Sequence, residues 1–417
     1  MNATRNLVKN LQASLSENAR DNIDLAIRKI VEAKRKQGAV VVVTGSGPNI
    51  HEGVTTLLAE LIRKGAVDGV ITSSAVVAHE MAGTLDRAKR IRISEGDEIG
   101  VPFSHLPRGR VFEITLLTAE ERVSLSEELN LGWDLYDHLA GRDGETIIKA
   151  AGNMAWPMGW RTEHLAREAQ ELAKQLGTTL EYVAGLGADP MTMIGAGARR
   201  GLPVLVSIPQ LVGGGAVGLA IGDTVSISRR ARLIADLLQR ADVILESAIA
   251  LSQEVHDGPF ETYTGHGIWA AWDHLPTFSL EGKTLVRIDL DQNLELAWRH
   301  ERQSSEIQRA VDLGLPKTKQ TRIPFRMEMS GFARLEGSIP ITADIGVVWP
   351  IIACELEEKL GLNLDFIAAP QETAEGKQMR EWIVDNVAYA NRKQMFKAAA
   401  NLMTRPGKAT QQRANWA

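Results

Sequence analysis

Residues 38–49 read GAVVVVTGSGPN and give the first indication of the fold. Four consecutive valines form a β-branched run, and a strand that is apolar at every position is typical of a parallel sheet covered on both faces. The run ends at Thr44 and glycines follow at once. The segment therefore predicts a buried parallel strand that opens into a tight, glycine-containing loop.

The segments that follow this strand alternate between helical and extended patterns. HEGVTTLLAELIRKGA (51–66) places its apolar residues on one helical face, VDGVITSS (67–74) is a second buried strand, and AVVAHEMAGTLDRAK (75–89) is predicted as a second helix. After a less regular stretch, the alternation resumes at 162–177, 191–211, 228–251, 283–291 and 340–361. This order predicts an α/β fold with a Rossmann-like, doubly wound and mostly parallel sheet.

The chain is predicted as one domain with a helical extension at each end. Residues 1–37 have helical spacing, broken near Ser16, and form the N-terminal extension. Residues 38–362 form the Rossmann-like domain, in which 91–160 is an irregular insertion over the site. Residues 363–417 form a C-terminal helical extension and tail.

The composition is that of an ordinary globular protein, with 44% hydrophobic residues, 24% charged residues and a net charge of −5. An acidic balance does not favour nucleic acid or an anionic membrane surface as a partner, and the basic C-terminal tail is predicted to be a solvated end. The N-terminus has no apolar signal region, and no run of about 20 apolar residues occurs. We therefore expect a cytoplasmic protein.

Cysteine and histidine usage predicts neither a disulfide nor a metal site. Cys354 is the single cysteine and lies in an apolar run, so we expect it to pack in the core. Four loop histidines share no ligand spacing such as H-x-x-x-H, and we expect no bound metal. These histidines are His51, His256, His266 and His274.

Ligands of doubly wound sheets bind just outside the carboxyl ends of the strands, so the loop after the first strand is the first candidate site. Gly45, Ser46 and Gly47 let backbone amides approach a phosphate, with Asn49 close behind them. The loop departs from the G-x-G-x-x-G pattern because position 50 is Ile50. A plain tight turn is the alternative interpretation.

Polar residues also follow the second strand. The hydroxyls of Thr72, Ser73 and Ser74 could bond ribose or phosphate oxygens, or they could cap the next helix. His79 and Glu80 lie in that helix, and a carboxylate beside an imidazole suits proton transfer. A surface pair on the helix is the alternative for these two residues.

Three later strand ends supply further candidates. An open, glycine-rich loop after the strand that ends near Pro209 could cradle a ligand or move over it. Glu246 and Asp289 lie where two further strands should end. The glycine-rich loop contains Gly213, Gly214, Gly215, Gly218 and Gly222, with Asp223 behind them.

Asp344 is the strongest single candidate from the sequence. It follows an apolar strand and precedes the apolar helix VVWPIIACEL, next to Ala343. An acid in apolar surroundings needs a partner or a raised pKa, which is typical of a functional group. An N-cap of the helix is the alternative interpretation.

The segments GAVVVVTGSGPNIHEGV, VDGVITSSAVVAHEMAGTL and ITADIGVVWPIIACEL together resemble deoxyhypusine synthase in their order and spacing. In that family, the first loop and the second strand end hold NAD, and an Ala-Asp pair lies on the nicotinamide side. The resemblance implies these roles for Ser46, Asn49, Thr72, Ser73, Ala343 and Asp344. The predicted cofactor contacts also include Gly45, Gly47, Ser74, Gly214, Gly215 and Asp289.

The same segments, with ARRGLPVLVSIPQLVGGG, ADVILESAIAL and KTLVRIDLD, also resemble the ornithine cyclodeaminase domain of bifunctional arginine-catabolic enzymes. There too an alanine-rich strand end runs into a His-acid pair, as in 75–80, and a similar turn matches 342–346. The resemblance implies NAD as the cofactor and a homo-oligomer, most simply a tetramer. The arginine-hydrolysing domain of those enzymes has no counterpart in this sequence.

One departure from the synthases bears on mechanism. Those enzymes carry a nucleophilic lysine shortly before the Ala-Asp pair, and Phe332 aligns with it here. Without that lysine we expect no covalent imine between protein and substrate.

The sequence therefore predicts an NAD-dependent enzyme that acts on a small amine or amino acid, in a reaction like that of a cyclodeaminase. Asp344, Glu80 and Glu246 are the predicted catalytic groups, and Asp223 is a weaker candidate. Two alternatives stay open at this stage. One is aminobutyl transfer without the lysine nucleophile, as in deoxyhypusine or homospermidine synthesis, and the other is a catalytically inactive NAD-binding regulator.

Overall fold

The computed structural model describes residues 5–45, 47–97, 104, 110–152, 155–248, 278–289, 293, 296, 299–300, 303–315, 320, 322–323 and 337–404. Several sequence predictions fall outside these ranges: those for Ser46, Phe332 and the basic tail beyond 404, and those for His256, His266 and His274.

A six-stranded parallel sheet forms the centre of the molecule. Its strands are Ala39–Thr44 (β1), Gly69–Thr72 (β2), Val204–Val206 (β6), Ala241–Ser247 (β7), Thr284–Asp289 (β8) and Ser338–Thr342 (β9). They lie in the order β6-β2-β1-β7-β8-β9, and every neighbouring pair is parallel. Numbered along the chain, these six strands have the order 3-2-1-4-5-6, which is that of a Rossmann fold. The predicted fold class is confirmed.

A second, antiparallel sheet lies beside the first. It contains Leu85–Arg92 (β3), Val111–Thr115 (β4) and Gly144–Ala150 (β5), in the order β4-β3-β5. The helix predicted over 75–89 is therefore wrong in its second half. Gly83 and Thr84 both have positive φ, which ends the helix at Met81 and turns the chain into β3.

Helices surround both sheets. In the first half of the chain they are Arg5–Ser14 (α1), Glu17–Arg35 (α2), Gly47–His51 (α3), Val54–Arg63 (α4), Ser74–Met81 (α5), Ala119–Glu128 (α6), Trp133–Ala140 (α7), Met158–Leu176 (α8), Leu180–Gly187 (α9) and Met193–Arg200 (α10). The later helices are Ala216–Gly222 (α11), Ile227–Arg240 (α12), Ser305–Asp312 (α13), Ile345–Leu360 (α14), Ala374–Asn386 (α15) and Arg392–Thr404 (α16). Two short 3₁₀ helices, Ile208–Gln210 and Val212–Gly214, follow β6. Among the helices that the structure describes, none combines the length and apolar character needed to cross a membrane.

The hydrophobic core lies between the parallel sheet and its helices. The valines 40–43 of β1 are all buried, as expected for a strand covered on both faces. The predicted break in the N-terminal helix is confirmed, because Ser16 caps α2 by accepting a hydrogen bond from the Ala19 amide. Both ends of the described chain add to this core, through Ile27 of α2 and Met395 of α16.

Candidate functional site

The strand order puts a switch point at the carboxyl ends of β1 and β7, and the space beyond these two strand ends is called the crevice below. The chain leaves β1 towards β2 on one side of the sheet, and it leaves β7 towards β8 on the other. Loops that diverge at such a switch point leave space between them, and this is where doubly wound folds bind their ligands. Gly45, Glu246 and Ser247 lie at this edge, and the other candidate loops end at the same edge of the sheet.

The loop after β1 is open enough for a ligand to approach its backbone. Gly45 is buried, and a Cβ there would lie 3.5 Å from the side-chain nitrogen of Asn49. A Cβ on Gly47 would meet nothing within 4 Å. Glycine at position 47 is therefore not required for packing, and its bare backbone is available to a ligand.

Asn49 links three elements around the crevice. Its side chain is fully buried; it donates to the Ser247 carbonyl at 3.3 Å and accepts from Ser247 Oγ at 2.6 Å. The indole Nε1 of Trp349 donates to the same hydroxyl at 2.8 Å. Asn49 thus fixes the β1 loop to the end of β7 and to α14, and its predicted contact with NAD stays a prediction.

A row of buried hydroxyls lies along the same edge. Thr44 ends β1, Thr72 ends the neighbouring β2, and Ser207 directly follows β6. All three side chains are fully buried, and within the described part of the chain their hydroxyl oxygens have no hydrogen-bond partner. A buried hydroxyl without a partner costs about 1–3 kcal/mol, and a polar ligand at this edge would offset that cost.

Ser73 and Ser74, in contrast, have structural partners. Ser73 is the N-cap of α5 and accepts from the Val76 amide at 3.2 Å. Ser74 Oγ donates to the Gln210 carbonyl at 2.7 Å and accepts from the Gly214 amide at 2.8 Å. The capping alternative therefore holds for Ser73, and Ser74 joins α5 to the glycine-rich segment.

Close packing explains two glycines of that segment. A Cβ on Gly214 would lie 2.7 Å from the Ser74 carbonyl oxygen, and one on Gly218 would lie 1.9 Å from the Leu211 carbonyl oxygen. Gly215 has φ of +60° and turns the chain into α11. Asp223 follows the far end of α11, about 12 Å along the helix from Gly215.

Asp344 is the N-cap of α14 and accepts from the Gly346 amide at 2.7 Å. It also faces Glu52, because a Cβ on Gly346 would lie 2.3 Å from Glu52 Oε2 and 3.0 Å from Asp344 Oδ1. Ala343 beside it is buried. Asp289 ends β8, in register with Thr342 of β9.

Glu52 was not singled out from the sequence, yet it lies at the crevice between α3 and α4. Gln371 donates to it from its backbone amide at 2.9 Å and from its side chain at 2.7 Å. Burial, reinforced by the nearby charge of Asp344, raises the pKa of Glu52 above its usual value. Two carboxyl groups, one with a raised pKa, therefore flank the start of α14.

Two histidines, His51 and His79, have lowered pKa values. Burial, with the positive charges of Arg380 and Lys149 and the neighbouring His79, lowers the pKa of His51, and burial lowers the pKa of His79. His79 Nδ1 lies 2.6 Å from the Ala151 carbonyl oxygen, which can only accept, so neutral His79 carries its proton on Nδ1. Its Nε2 then has a free lone pair, since none of the described residues hydrogen-bonds to it. An imidazole in this state is a proton acceptor at neutral pH.

The geometry gives Glu80 a structural task. Its two carboxylate oxygens accept from the amides of Met193 and Ile194, at 2.8 and 3.0 Å, at the start of α10. Burial raises the pKa of Glu80 to about 7. Glu80 therefore closes the amino end of a helix rather than facing the crevice.

Glu246 lies in β7 with its side chain fully buried. In the sheet register it stands between Val43 of β1 and Arg287 of β8, and Arg287 is also buried. Side chains of register neighbours share one face of the sheet, so an acid and a base are buried side by side near the crevice.

Among the described residues, no group of three side chains is arranged to hold a metal ion.

No family model and no curated protein matches the sequence. Among solved structures, the chain is similar to apo ArgZ, an arginine dihydrolase from the ornithine-ammonia cycle in cyanobacteria, with 13% identity over 83% of this chain and a TM-score of 0.39. A putative LOR/SDH protein from Methanococcus maripaludis S2 has 12% identity, with 83% of this chain and 69% of that chain covered and a TM-score of 0.35. AgrE in complex with ornithine and NAD+ has 13% identity, 83% coverage of this chain and a TM-score of 0.40.

The chain spans about one third of the length of ArgZ and AgrE, at 32% and 34%. Similarity this low assigns no activity.

Proposed function

We propose that the chain is an NAD-dependent enzyme that acts on a small amine or amino acid. The observation that carries this proposal is the pair of buried, unpartnered hydroxyls of Thr44 and Thr72, which lie beside the open Gly45–Gly47 loop at the switch point. Ribose and phosphate oxygens are the polar atoms that dinucleotides bring to this position in doubly wound folds. Thr44, Thr72 and the glycines of the β1 loop therefore fit NAD as the cofactor.

The residues that would hold NAD are those of the β1 loop and of the neighbouring strand ends. The backbone at Gly45 and Gly47 would face the phosphates, and Thr44, Thr72 and Ser207 would complete their hydrogen bonds on the nucleotide. When bound, NAD supplies a reversible two-electron acceptor for a carbon that bears an amine. No acidic residue ends β2, which is where many NAD sites bind the ribose. In this chain the hydroxyl of Thr72 lies at the end of β2 instead.

The charged groups beside the β1 loop suit an amine substrate. Asp344 and Glu52 present two carboxyl groups at the start of α14, and these would bind an ammonium group and stabilise an iminium that develops from it. His79 Nε2 is available to accept the proton that the amine loses. We leave Glu80 out of the proposed catalytic set, because its side chain is buried against the start of α10, where it accepts from the amides of Met193 and Ile194.

The finer proposal is a cyclodeaminase reaction on a diamino acid. The carbon that bears one amine is oxidised to an imine, the second amine of the same molecule attacks that carbon, and ammonia leaves. The cyclic imine is then reduced again by the two electrons removed in the first step, so no net oxidant is consumed. The chain's own tasks are to bind the substrate ammonium, to keep the reacting carbon in place and to move one proton.

One assay separates this proposal from its alternatives. The purified chain is incubated with a small panel of diamines and basic amino acids and a catalytic amount of NAD. We expect ammonia release with no accumulation of NADH. NADH that accumulates with each turnover would indicate a plain dehydrogenase, and a transferred aminobutyl group would indicate the synthase-like alternative. NAD binding without any product would favour the regulator and contradict the proposed activity.

A further inference from the structure

A cavity of about 680 Å³ is lined by residues of both the antiparallel sheet and the helices, and none of its lining residues belongs to the strand ends of β1 and β7. Its walls come from the start of β3, from α6, from the turn between α9 and α10 and from the segment between α15 and α16. Leu85, Met158 and Val387 contribute apolar surface, and Asp86 and Thr115 contribute polar groups. A volume of this size is typical of sites for small molecules.

Asp86 is the unusual residue of this cavity. It is only 7% exposed, and its Oδ2 accepts from Thr115 Oγ1 and from the Gly152 amide, both at 3.2 Å. Its Oδ1 has no hydrogen-bond partner among the described residues. Burial raises the pKa of Asp86 to about 6, so the side chain is mostly ionised at neutral pH with one oxygen unused.

Two other charged groups of the wall, Arg87 and Asp189, already have partners. Arg87 bonds Asp385 at 2.9 Å and also bonds Glu381. Asp189 accepts from the amides of Met191 and Ala388. Acids outnumber bases in this wall. Lys149 stands opposite Asp86 in the register of β3 and β5, and Glu113 also faces Asp86, but the Lys149 ammonium bonds Glu113 and no described basic side chain bonds Asp86. A buried carboxylate in such surroundings favours a cation.

We propose that this cavity binds a small organic cation, a primary ammonium or a guanidinium group, through Asp86. The cation would occupy the unused Oδ1, and the carbon chain of the ligand would lie on Leu85, Met158 and Val387. This site goes beyond the proposed function, because none of its residues belongs to the crevice at β1 and β7. Its ligand is therefore expected to bind in the absence of NAD.

Calorimetry on the full chain without NAD tests the proposal, with 1,4-diaminobutane as the probe and 1,4-butanediol as its uncharged analogue. We expect the diamine to bind and the diol to show no heat. Asp86→Asn keeps the size of the side chain and is expected to weaken diamine binding at least tenfold. Asp385→Asn is the matched control, because Asp385 lines the same cavity but is exposed and paired with Arg87. It should bind the diamine within threefold of wild type.

The pH dependence of the unmodified chain gives a second test that needs no variant. The diamine stays fully protonated between pH 5 and 8, whereas Asp86 becomes neutral below a pH of about 6. Affinity should therefore be steady above pH 7 and should fall about tenfold for each pH unit well below 6. No heat with the diamine, equal binding by Asp86→Asn, or a flat pH profile would each overturn the proposal. None of these outcomes bears on NAD binding.

Discussion

Asp344 shows how one residue can satisfy a structural and a chemical interpretation together. The sequence predicted a site residue or a helix cap, and the structure shows the cap. It also brings Glu52 beside Asp344, which the sequence could not show because the two residues lie 292 positions apart. Likewise, His51 and His79 become neighbours only through the fold. Their partners come from distant elements, so no local pattern predicts them.

Substitution of Asp344 by Asn separates its two roles. Asn caps helices nearly as well as Asp, so we expect the melting temperature to stay within about 2 °C of wild type. Loss of the charge that faces a developing iminium should lower turnover by about 10²–10³-fold. The measurements are thermal unfolding and ammonia release. A fully active Asn variant would leave Asp344 with the structural role alone.

Glu80 makes a testable contribution to the pH dependence of stability. Its folded pKa of about 7 lies above the ordinary value of 4.5, so the folded state holds this proton more tightly than the unfolded state. The stabilisation is present below pH 4.5 and is lost as pH rises towards 7. Relative to Glu80→Gln, which mimics the protonated acid, wild type should lose on the order of 3 kcal/mol between pH 5 and 8. Urea unfolding at several pH values checks this, and parallel pH profiles for the two proteins would contradict it.

At the scale of elements, the strands of the parallel sheet were easier to predict than the ends of the helices. The valine run of β1 and the apolar runs of β2 and β7 indicate buried parallel strands, because no polar residue interrupts these runs, and β8 has the same pattern except for Arg287. The end of α5 was missed, because AGTLDRAK continues a helical pattern up to Lys89. The chain turns instead at Gly83, whose Cβ, if present, would lie 3.1 Å from the Val387 carbonyl oxygen. A contact between two residues that lie 304 positions apart, Gly83 and Val387, therefore sets the end of α5.

The loop after β1 gives a prediction at this scale. Gly47→Ala adds a methyl group where nothing lies within 4 Å, and φ at this position is not positive, so folding should be unaffected. If the bare backbone of Gly47 faces the phosphates, the same methyl group should weaken NAD binding at least tenfold. Calorimetry with NAD, with the melting temperature as the control, measures both effects. Unchanged NAD affinity in a stable Ala variant would remove Gly47 from the site.

At the scale of the whole molecule, the strand order of the parallel sheet determines where the crevice lies. The antiparallel sheet and the helices determine what surrounds it. The alternation in the sequence predicts a doubly wound sheet but not its strand order, and the structure supplies the order β6-β2-β1-β7-β8-β9. The antiparallel β4-β3-β5 sheet could not be predicted, because its strands lack the apolar continuity of the central ones. Its strand β3 is only partly buried.

A homotetramer stays a prediction at this scale. It follows from the resemblance to enzymes that assemble with NAD near their subunit boundaries. Light scattering coupled to gel filtration should give about four times the 45.6 kDa mass of the chain. A single 45.6 kDa species at working concentration would contradict this prediction.

The central claim is that the buried hydroxyls at the carboxyl edge exist to bind a dinucleotide. Thr72→Val removes one of them without changing the shape of the side chain, and Thr56→Val is the matched control, because Thr56 is equally buried and unpartnered but lies within α4. Both variants should melt at or above the wild-type temperature, since each loses an unsatisfied polar group.

The decisive measurement is the NAD affinity of these three proteins by calorimetry. Wild type should bind in the micromolar range, at about −8 kcal/mol, and Thr56→Val should match it. Thr72→Val should bind about five- to tenfold more weakly, as expected for the loss of one hydrogen bond. Equal NAD affinity in all three proteins, or no NAD binding by wild type, would contradict the account.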